Sequence, residues 1–320
     1  MVYNDFVTCI QTLLSLHLGN EVSTDIRKVT KNNGRVLDGL CLLKAGEISA
    51  PTIYLNTYYQ CYQDGMSMEE ILTDILELYK KNPLPSPETL ALFSDFSKAR
   101  PMIAARLIHA HSNKELLKET PHLLFLDLAI VCYLCLEEDA LGQISTLISH
   151  DQLKSWGISK KTLFQTARDN TPKHYPPQLL PMEDVIRDIL KKNLGNDFQE
   201  DLLRQLAGSA PVRNPLYVLS NSLGVYGAIT MLYENQLKNF ADTLGNDLVI
   251  IPSSIHEVLL IPDDGNLYSY EELRQMVTEI NYHQVPLEEQ LSNQIYLYSR
   301  SLDRISMIFS SVSPIGTKNP

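Results

Sequence analysis

The chain has 320 residues, and 27 Lys and Arg against 38 Asp and Glu give a formal net charge of −11. An apolar fraction of 44% with 20% charged residues excludes a chain that is disordered throughout. The acidic balance argues against a nucleic-acid binder, whose affinity rests on clustered Lys and Arg, and every apolar run falls short of the roughly 20 residues that a membrane span needs.

The opening MVYNDFVTCIQTLLSLHLGN carries Asp5 ahead of its apolar part and no Lys or Arg before Arg27. A signal peptide has a basic start, an apolar middle and a small-residue cleavage site, so this start reads as that of a cytoplasmic protein. Phe6, Ile10, Leu13, Leu14 and Leu16 mark a helix face. IRKVTK and VLDGLCLL then flank Asn32-Asn33-Gly34-Arg35, a hairpin in which Asn-Gly supplies positive φ angles. Residues 51–56 read as a third strand, and TYYQCYQDG runs to a stop at Gly65. Ser67-Met-Glu-Glu70 is a capping box. It opens a helix whose apolar residues Met68, Ile71, Leu72, Ile75, Leu76 and Tyr79 recur at three-to-four spacing.

NPLPSP at 82–87 is the expected boundary, because its prolines break any regular element. It divides the chain into residues 1–82, a helix, hairpin and helix unit, and residues 83–320, a larger unit. Residues 88–99 predict a short helix. After Pro101, MIAARLIHA reads as a strand, with helix as the competing reading. The run His122–Leu136 is too apolar for a half-exposed strand and predicts one central strand. EEDALG turns the chain and QISTLIS pairs back. A helix capped by Ser159 follows, with Leu163, Phe164 and Ala167 inward.

Residues 172–215 bear prolines at both ends and read as a mobile helical insertion. Residues 216–221 predict a strand, and residues 226–244 a helix with Ile229, Leu232, Tyr233, Leu237, Phe240 and Leu244 inward. Two apolar runs surround Ser253-Ser254. Ser269-Tyr-Glu-Glu272 is a second capping box, ahead of a helix with Leu273, Met276, Val277 and Ile280 inward. LSNQIYLYSR predicts a last strand, and SSVSPIGTKNP a frayed tail. The pattern is α+β, with short antiparallel strand pairs packed against helices in two units. It lacks the steady strand–helix alternation of a doubly wound sheet.

Candidate chemistry is sparse. Ser253-Ser254-Ile255-His256-Glu257 gathers hydrolase residue types, but nucleophile, base and orienter usually meet from distant segments. No GxSxG elbow is present, and HEVLL lacks the second His of HExxH. His109 and His111 stand two apart near a strand end, a spacing that puts both rings on one face as metal ligands need, but no third ligand is identifiable nearby. Cys132 and Cys135 have CxxC spacing inside an apolar strand, where their sulfurs point to opposite faces and read as buried core. The five cysteines, Cys9, Cys41, Cys61, Cys132 and Cys135, form an odd set that indicates no disulfide framework. GVYGA at 224–228 lacks a phosphate-loop pattern, and Gly227 reads as close packing. Tyr58, Tyr59 and Tyr62 crowd one helical stretch and read as face packing.

Several stretches together resemble a known family. They are PTIYLNTYYQCYQDGMSMEEIL, PHLLFLDLAIVCYL, LISHDQLKSWGISKKTLFQTARDNTP, LYVLSNSLGVYGAITMLY, IIPSSIHEVLLIPDDG and MVTEINYHQVPLEEQLSNQIYLYSR. They resemble the family of domain of unknown function 5688, found largely in gut-dwelling Firmicutes, over about residues 25–300. Asn293 stands where that family usually has Asp, and Cys132 where an aromatic is common. The second half is similar, more weakly, to the YtpQ-like domain of unknown function 1444. The resemblance implies a bacterial, intracellular α+β protein and transfers no catalytic residue, cofactor or partner.

The expectation is therefore a non-catalytic binding or protein-interaction module. It has no cofactor and no metal, and its partner is an unidentified protein or small ligand rather than nucleic acid or membrane. Ser253, Ser254, His256 and Glu257 are the candidate ligand-binding residues, and a hydrolase built on the same segment is the alternative.

Overall fold

The computed structural model describes residues 1–44, 52–81, 87–139, 142–194, 215–252, 254–265 and 269–308. Contacts divide the chain into two compact units, Met1–Ala99 and Arg100–Pro320. The expected linker residues 82–86 and the expected tail from residue 310 lie outside the described residues. Helices α4 (Pro87–Ser94) and α5 (Phe96–Ala99) fall in the first unit.

In the first unit, helix α1 (Tyr3–Leu18) buries Phe6, Ile10 and Leu14, which recur every four residues. Leu16 lies off this stripe and is 77% exposed, contrary to its expected place on the inner face. Strands β1 (Val22–Thr30) and β2 (Val36–Lys44) form the expected hairpin. Asn33 and Gly34 both take positive φ, at 57° and 73°, and Lys31 N–H donates to Arg35 O at 2.6 Å. Strand β3 (Thr52–Tyr54) pairs with β2, and helix α2 (Leu55–Gln63) follows.

Helix α3 (Met68–Lys81) opens on its capping box. Glu70 N–H donates to Ser67 Oγ at 3.2 Å, and Ser67 N–H donates to Glu70 Oε2 at 2.8 Å. Ile71 and Ile75 complete a core with Leu40, Leu42 and Leu55. Each such fully buried aliphatic side chain contributes about 1.5–3 kcal/mol.

The second unit holds two antiparallel sheets. In the four-stranded sheet, β4 (Ile103–His109), β5 (His122–Phe125) and β7 (Gly142–Leu147) all pair with β6 (Leu128–Asp139). The run expected as one central strand is thus two. The chain reverses at Leu126, which takes a φ of 55°, and Phe125 pairs back on Leu128. A turn of this kind carries no Gly or Pro signal, so the apolar run conceals it. Only β6 is central, and Leu128, Ala129, Val131, Cys132, Tyr133 and Leu134 are buried along it.

Helix α6 (Leu116–Glu119) lies between β4 and β5, and α7 (His150–Trp156) follows β7. Helix α8 (Lys160–His174) packs on β4 with Leu163 and Ala167 inward. Its Ser159 cap accepts from Thr162 N–H at 3.1 Å. Asn170 Nδ2 ties α8 to the start of β4 by donating to Arg100 O at 2.7 Å and Ile103 O at 3.0 Å.

The six-stranded sheet runs β13-β12-β10-β11-β9-β8, with every neighbour antiparallel. Its strands are β8 (Pro177–Pro181), β9 (Tyr217–Asn221), β10 (Asp247–Ile251), β11 (Val258–Asp263), β12 (Tyr296–Ser299) and β13 (Arg304–Met307). The stretch expected as a helical insertion therefore contributes an edge strand, where prolines are tolerated because one edge needs no ladder donor. Helix α9 (Met182–Leu194) follows β8.

The helix expected over 226–244 is broken in two. Gly227–Leu232 forms a 3-10 turn with Gly227–Met231 all buried, and helix α10 (Gln236–Leu244) starts after Asn235 at a φ of 58°. Helix α11 (Tyr270–Gln284) carries the second capping box as expected. Leu273 and Val277 face its core, whereas Met276 and Ile280 are exposed.

Candidate functional site

Among the described residues of the second unit, three places that gather polar or ionisable side chains stand out. The first is the predicted Ser254–Glu257 segment, between β10 and β11; Ser253 lies outside the described residues. Ser254 is buried, and its Oγ donates to Glu257 Oε1 at 2.7 Å while accepting from the N–H of His256 and Glu257 at 2.9 and 3.3 Å. The hydroxyl is thus engaged in closing the turn and has no hydrogen bond to the imidazole. His256 Nδ1 accepts instead from Tyr226 N–H at 3.3 Å, and its ring stacks on Tyr226 with centroids 5.8 Å apart. His256 Nε2 faces Glu289 Oε1 at 4.0 Å. Ser254, His256 and Glu257 do share one open cleft of about 380 Å³, with Gly224, Pro286 and Glu289.

Tyr226 links this histidine to a half-buried cation. The guanidinium of Arg106, on β4, lies 4.4 Å from the Tyr226 ring centroid and 5.9 Å from that of Tyr133. Its Nε is buried with no hydrogen-bond partner, so the two ring faces supply the stabilisation that a carboxylate would usually give. Nearby, Tyr233 OH donates to Tyr175 O at 3.1 Å, and burial raises the pKa of both phenols far above the ordinary tyrosine value.

The second place is a cleft of about 780 Å³ beside α8. Its floor includes Ala105, Ile130, Phe164, Ala167, Ile229 and Leu232. Its polar lining includes Lys160, Lys161 and Arg168 against Asp169 and Glu234. Arg168 is engaged by Glu234 at 3.7 Å. Lys160 approaches only the Phe164 ring, and neither it nor Lys161 has a carboxylate partner among the described residues. This volume lies within the range of small-molecule sites. Phe164 and Ala167 were legible in the sequence as an inward face, but nothing local to them signals a cavity.

The third place holds the two histidines considered as metal ligands. His109 ends β4, and its Nδ1 lies 2.7 Å from Ser112 Oγ. Its Nε2 stands 3.7 Å from Asp127 Oδ2. His111 sits on the following turn and lines a separate cleft of about 590 Å³ with Lys114, Lys118 and His122. Among the described residues, no three His, Cys, Asp or Glu side chains converge as a metal site would require. Cys132 and Cys135 are both buried on β6, and burial pushes the Cys132 thiol well above its ordinary value, the opposite of a reactive cysteine.

Asp127 itself is held from the other sheet. Tyr296 OH donates to its Oδ1 and Ser292 Oγ to its Oδ2, each at 2.6 Å. No local pattern singles out Asp127, which reads in the sequence as one polar residue inside an apolar run.

No helix among the described residues is long and apolar enough to cross a membrane. No curated protein and no solved structure matches the chain. A family model described as a family of unknown function, DUF5688, matches residues 3–300. That match spans nearly the whole chain, which therefore belongs to the DUF5688 family.

Proposed function

We propose that this protein is a binding module that takes a small amphiphilic anion into the cleft beside α8. The carrying observation is the pairing of an apolar floor with Lys160 and Lys161, two cations without carboxylate partners among the described residues. An apolar body buried on that floor gains roughly 25 cal/mol per Å², and an anionic end group gains a charge-assisted contact at the lysines. The cleft at Ser254, His256 and Glu257 is lined by two carboxylates, Glu257 and Glu289, and suits such a ligand less well. None of the five cysteines is in a disulfide, which supports a reducing, cytoplasmic setting.

Fluorescence titration with 1-anilinonaphthalene-8-sulfonate, an aromatic anion, tests the reading. Saturable one-to-one binding is expected, displaced by decanoate but not by decyltrimethylammonium. The double variant K160E/K161E should weaken it at least tenfold, about 1.4 kcal/mol. Absence of saturable binding, or equal displacement by both competitors, would sink the proposal.

A further inference from the structure

Ser112, His109 and Asp127 stand apart from both the α8 cleft and the Ser254–Glu257 cleft, and their contacts form an ordered series. Ser112 Oγ lies 2.7 Å from His109 Nδ1, and His109 Nε2 lies 3.7 Å from Asp127 Oδ2. The first separation is a short hydrogen bond; the second is an electrostatic contact. The three residues come from the end of β4, the turn after it and the β5–β6 turn. Ala110 N–H fixes the last two together by donating to Asp127 O at 2.9 Å.

The frame around them is stiff. Asp127 accepts from Tyr296 and Ser292, and Asn113 Nδ2 donates to His109 O at 2.8 Å. The carboxylate that receives these two hydroxyl hydrogen bonds faces His109 Nε2. It favours the tautomer with the proton on Nε2, so that Nδ1 accepts from Ser112, from its hydroxyl at 2.7 Å and from its backbone N–H at 3.4 Å. Burial, with the nearby His111, holds the imidazole pKa below its ordinary 6.5 against the pull of Asp127, which favours the neutral ring. Ser112 is exposed and open to reagents. Its chain neighbours Ala110, His111 and Lys114 line a cleft of about 590 Å³.

We propose that Ser112 is a nucleophile toward small carboxylic esters, with His109 as its general base and Asp127 as the residue that positions the base. Ser112 Oγ forms a bond to the ester carbonyl carbon while its proton passes to His109 Nδ1. The carbon–oxygen bond to the alcohol then breaks, and the departing oxygen takes that proton. Water repeats the sequence on the acyl-serine and releases the acid, so one ester and one water become one acid and one alcohol. This activity goes beyond ligand binding at α8, and its test is independent of that reading.

The test treats the full chain with a fluorophosphonate probe and maps the adduct by peptide mass spectrometry. Attack forms an oxygen–phosphorus bond and expels fluoride. The expected result is one adduct, on Ser112, that S112A abolishes. H109Q keeps a polar side chain but no base, and should slow labelling at least 100-fold, the lower range of general-base contributions. No adduct on Ser112, labelling spread over other exposed serines such as Ser97 and Ser159, or H109Q labelled at the wild-type rate would each overturn the proposal. Should circular dichroism show H109Q unfolded, the wild-type map and S112A still decide it.

Discussion

Asp38 shows how one buried carboxylate organises the first unit. It accepts from Tyr3 OH at 2.8 Å and from Lys28 Nζ at 2.9 Å, while its own N–H donates to Asn56 Oδ1 at 2.7 Å. One residue thereby ties α1, β1 and α2 to β2. Burial pushes its pKa up, but the hydrogen bonds from Lys28 and Tyr3 outweigh that and hold the group below the ordinary carboxylate range. A depressed carboxyl pKa stabilises the fold above the unfolded-state value and loses that contribution as pH falls through the folded-state value. D38N should cost about 1.5–3 kcal/mol at pH 7, the range for hydrogen bonds to charged groups. Its deficit should shrink on acidification, as thermal melts from pH 7 to pH 3 would show. His109 has the opposite chemistry. Its imidazolium is disfavoured in the fold, so the unfolded chain binds the proton more readily, and stability falls as pH drops below about 6.5. Melts across pH 8 to 5 should show this loss in the wild type and a flatter profile in H109Q.

Elements whose signals are local follow the sequence closely. Both Ser-x-x-Glu boxes cap helices, and Asn33-Gly34 closes the first hairpin, because each arrangement involves atoms only a few residues apart. Ser159 belongs to this group. S159A should cost about 1 kcal/mol, the usual value of an N-cap side chain, measured by urea denaturation. The 226–244 region departs from its pattern. Its spacing suits one amphipathic helix, but Gly227–Met231 is buried on all sides rather than along one stripe. Gly227 lies so close to its neighbours that a Cβ would sit 2.2 Å from Ser220 Oγ, 2.5 Å from His256 O and 2.7 Å from Asn221 N. The expected role of Gly227 in close packing thus persists, with strand β9 and the His256 backbone as its neighbours. Two of those contacts are backbone, which cannot rotate away. G227A should therefore destabilise by about 3 kcal/mol or fail to fold, as overpacked sites do, and expression with thermal melting would reveal which.

At the scale of the molecule, each unit has its own apolar core. In the second unit the core spans both sheets, with Leu107 and Leu128 of one packed with Leu248, Leu260 and Tyr296 of the other. Asp127 adds a polar tie across the same junction. Tyr296, whose phenol burial keeps from ionising, reaches it over a sequence separation of 169 residues. Y296F keeps the ring and removes the hydroxyl. It should cost about 1.5–3 kcal/mol, since one oxygen of the carboxylate then loses its donor. Combined with S292A the loss should be non-additive, because both hydroxyls serve one group, and a double-mutant cycle by denaturant unfolding would measure that coupling.

The sequence by itself determined the α+β class, the family, the two capping-box helices, the Ser159 cap, the first hairpin and most strands, because periodicity and capping act within about one or two turns of chain. It also brought Ser254, His256 and Glu257 into view, since they are neighbours in the chain. Tertiary structure decided that Ser254 closes a turn, that the 122–136 run folds back at Leu126, and that Lys160 and Lys161 border an apolar cleft. It alone joined His109 to Asp127 and Asp127 to Tyr296. A spacing pattern states which face of an element is buried, whereas the partner across that face is chosen by packing between segments far apart in the chain.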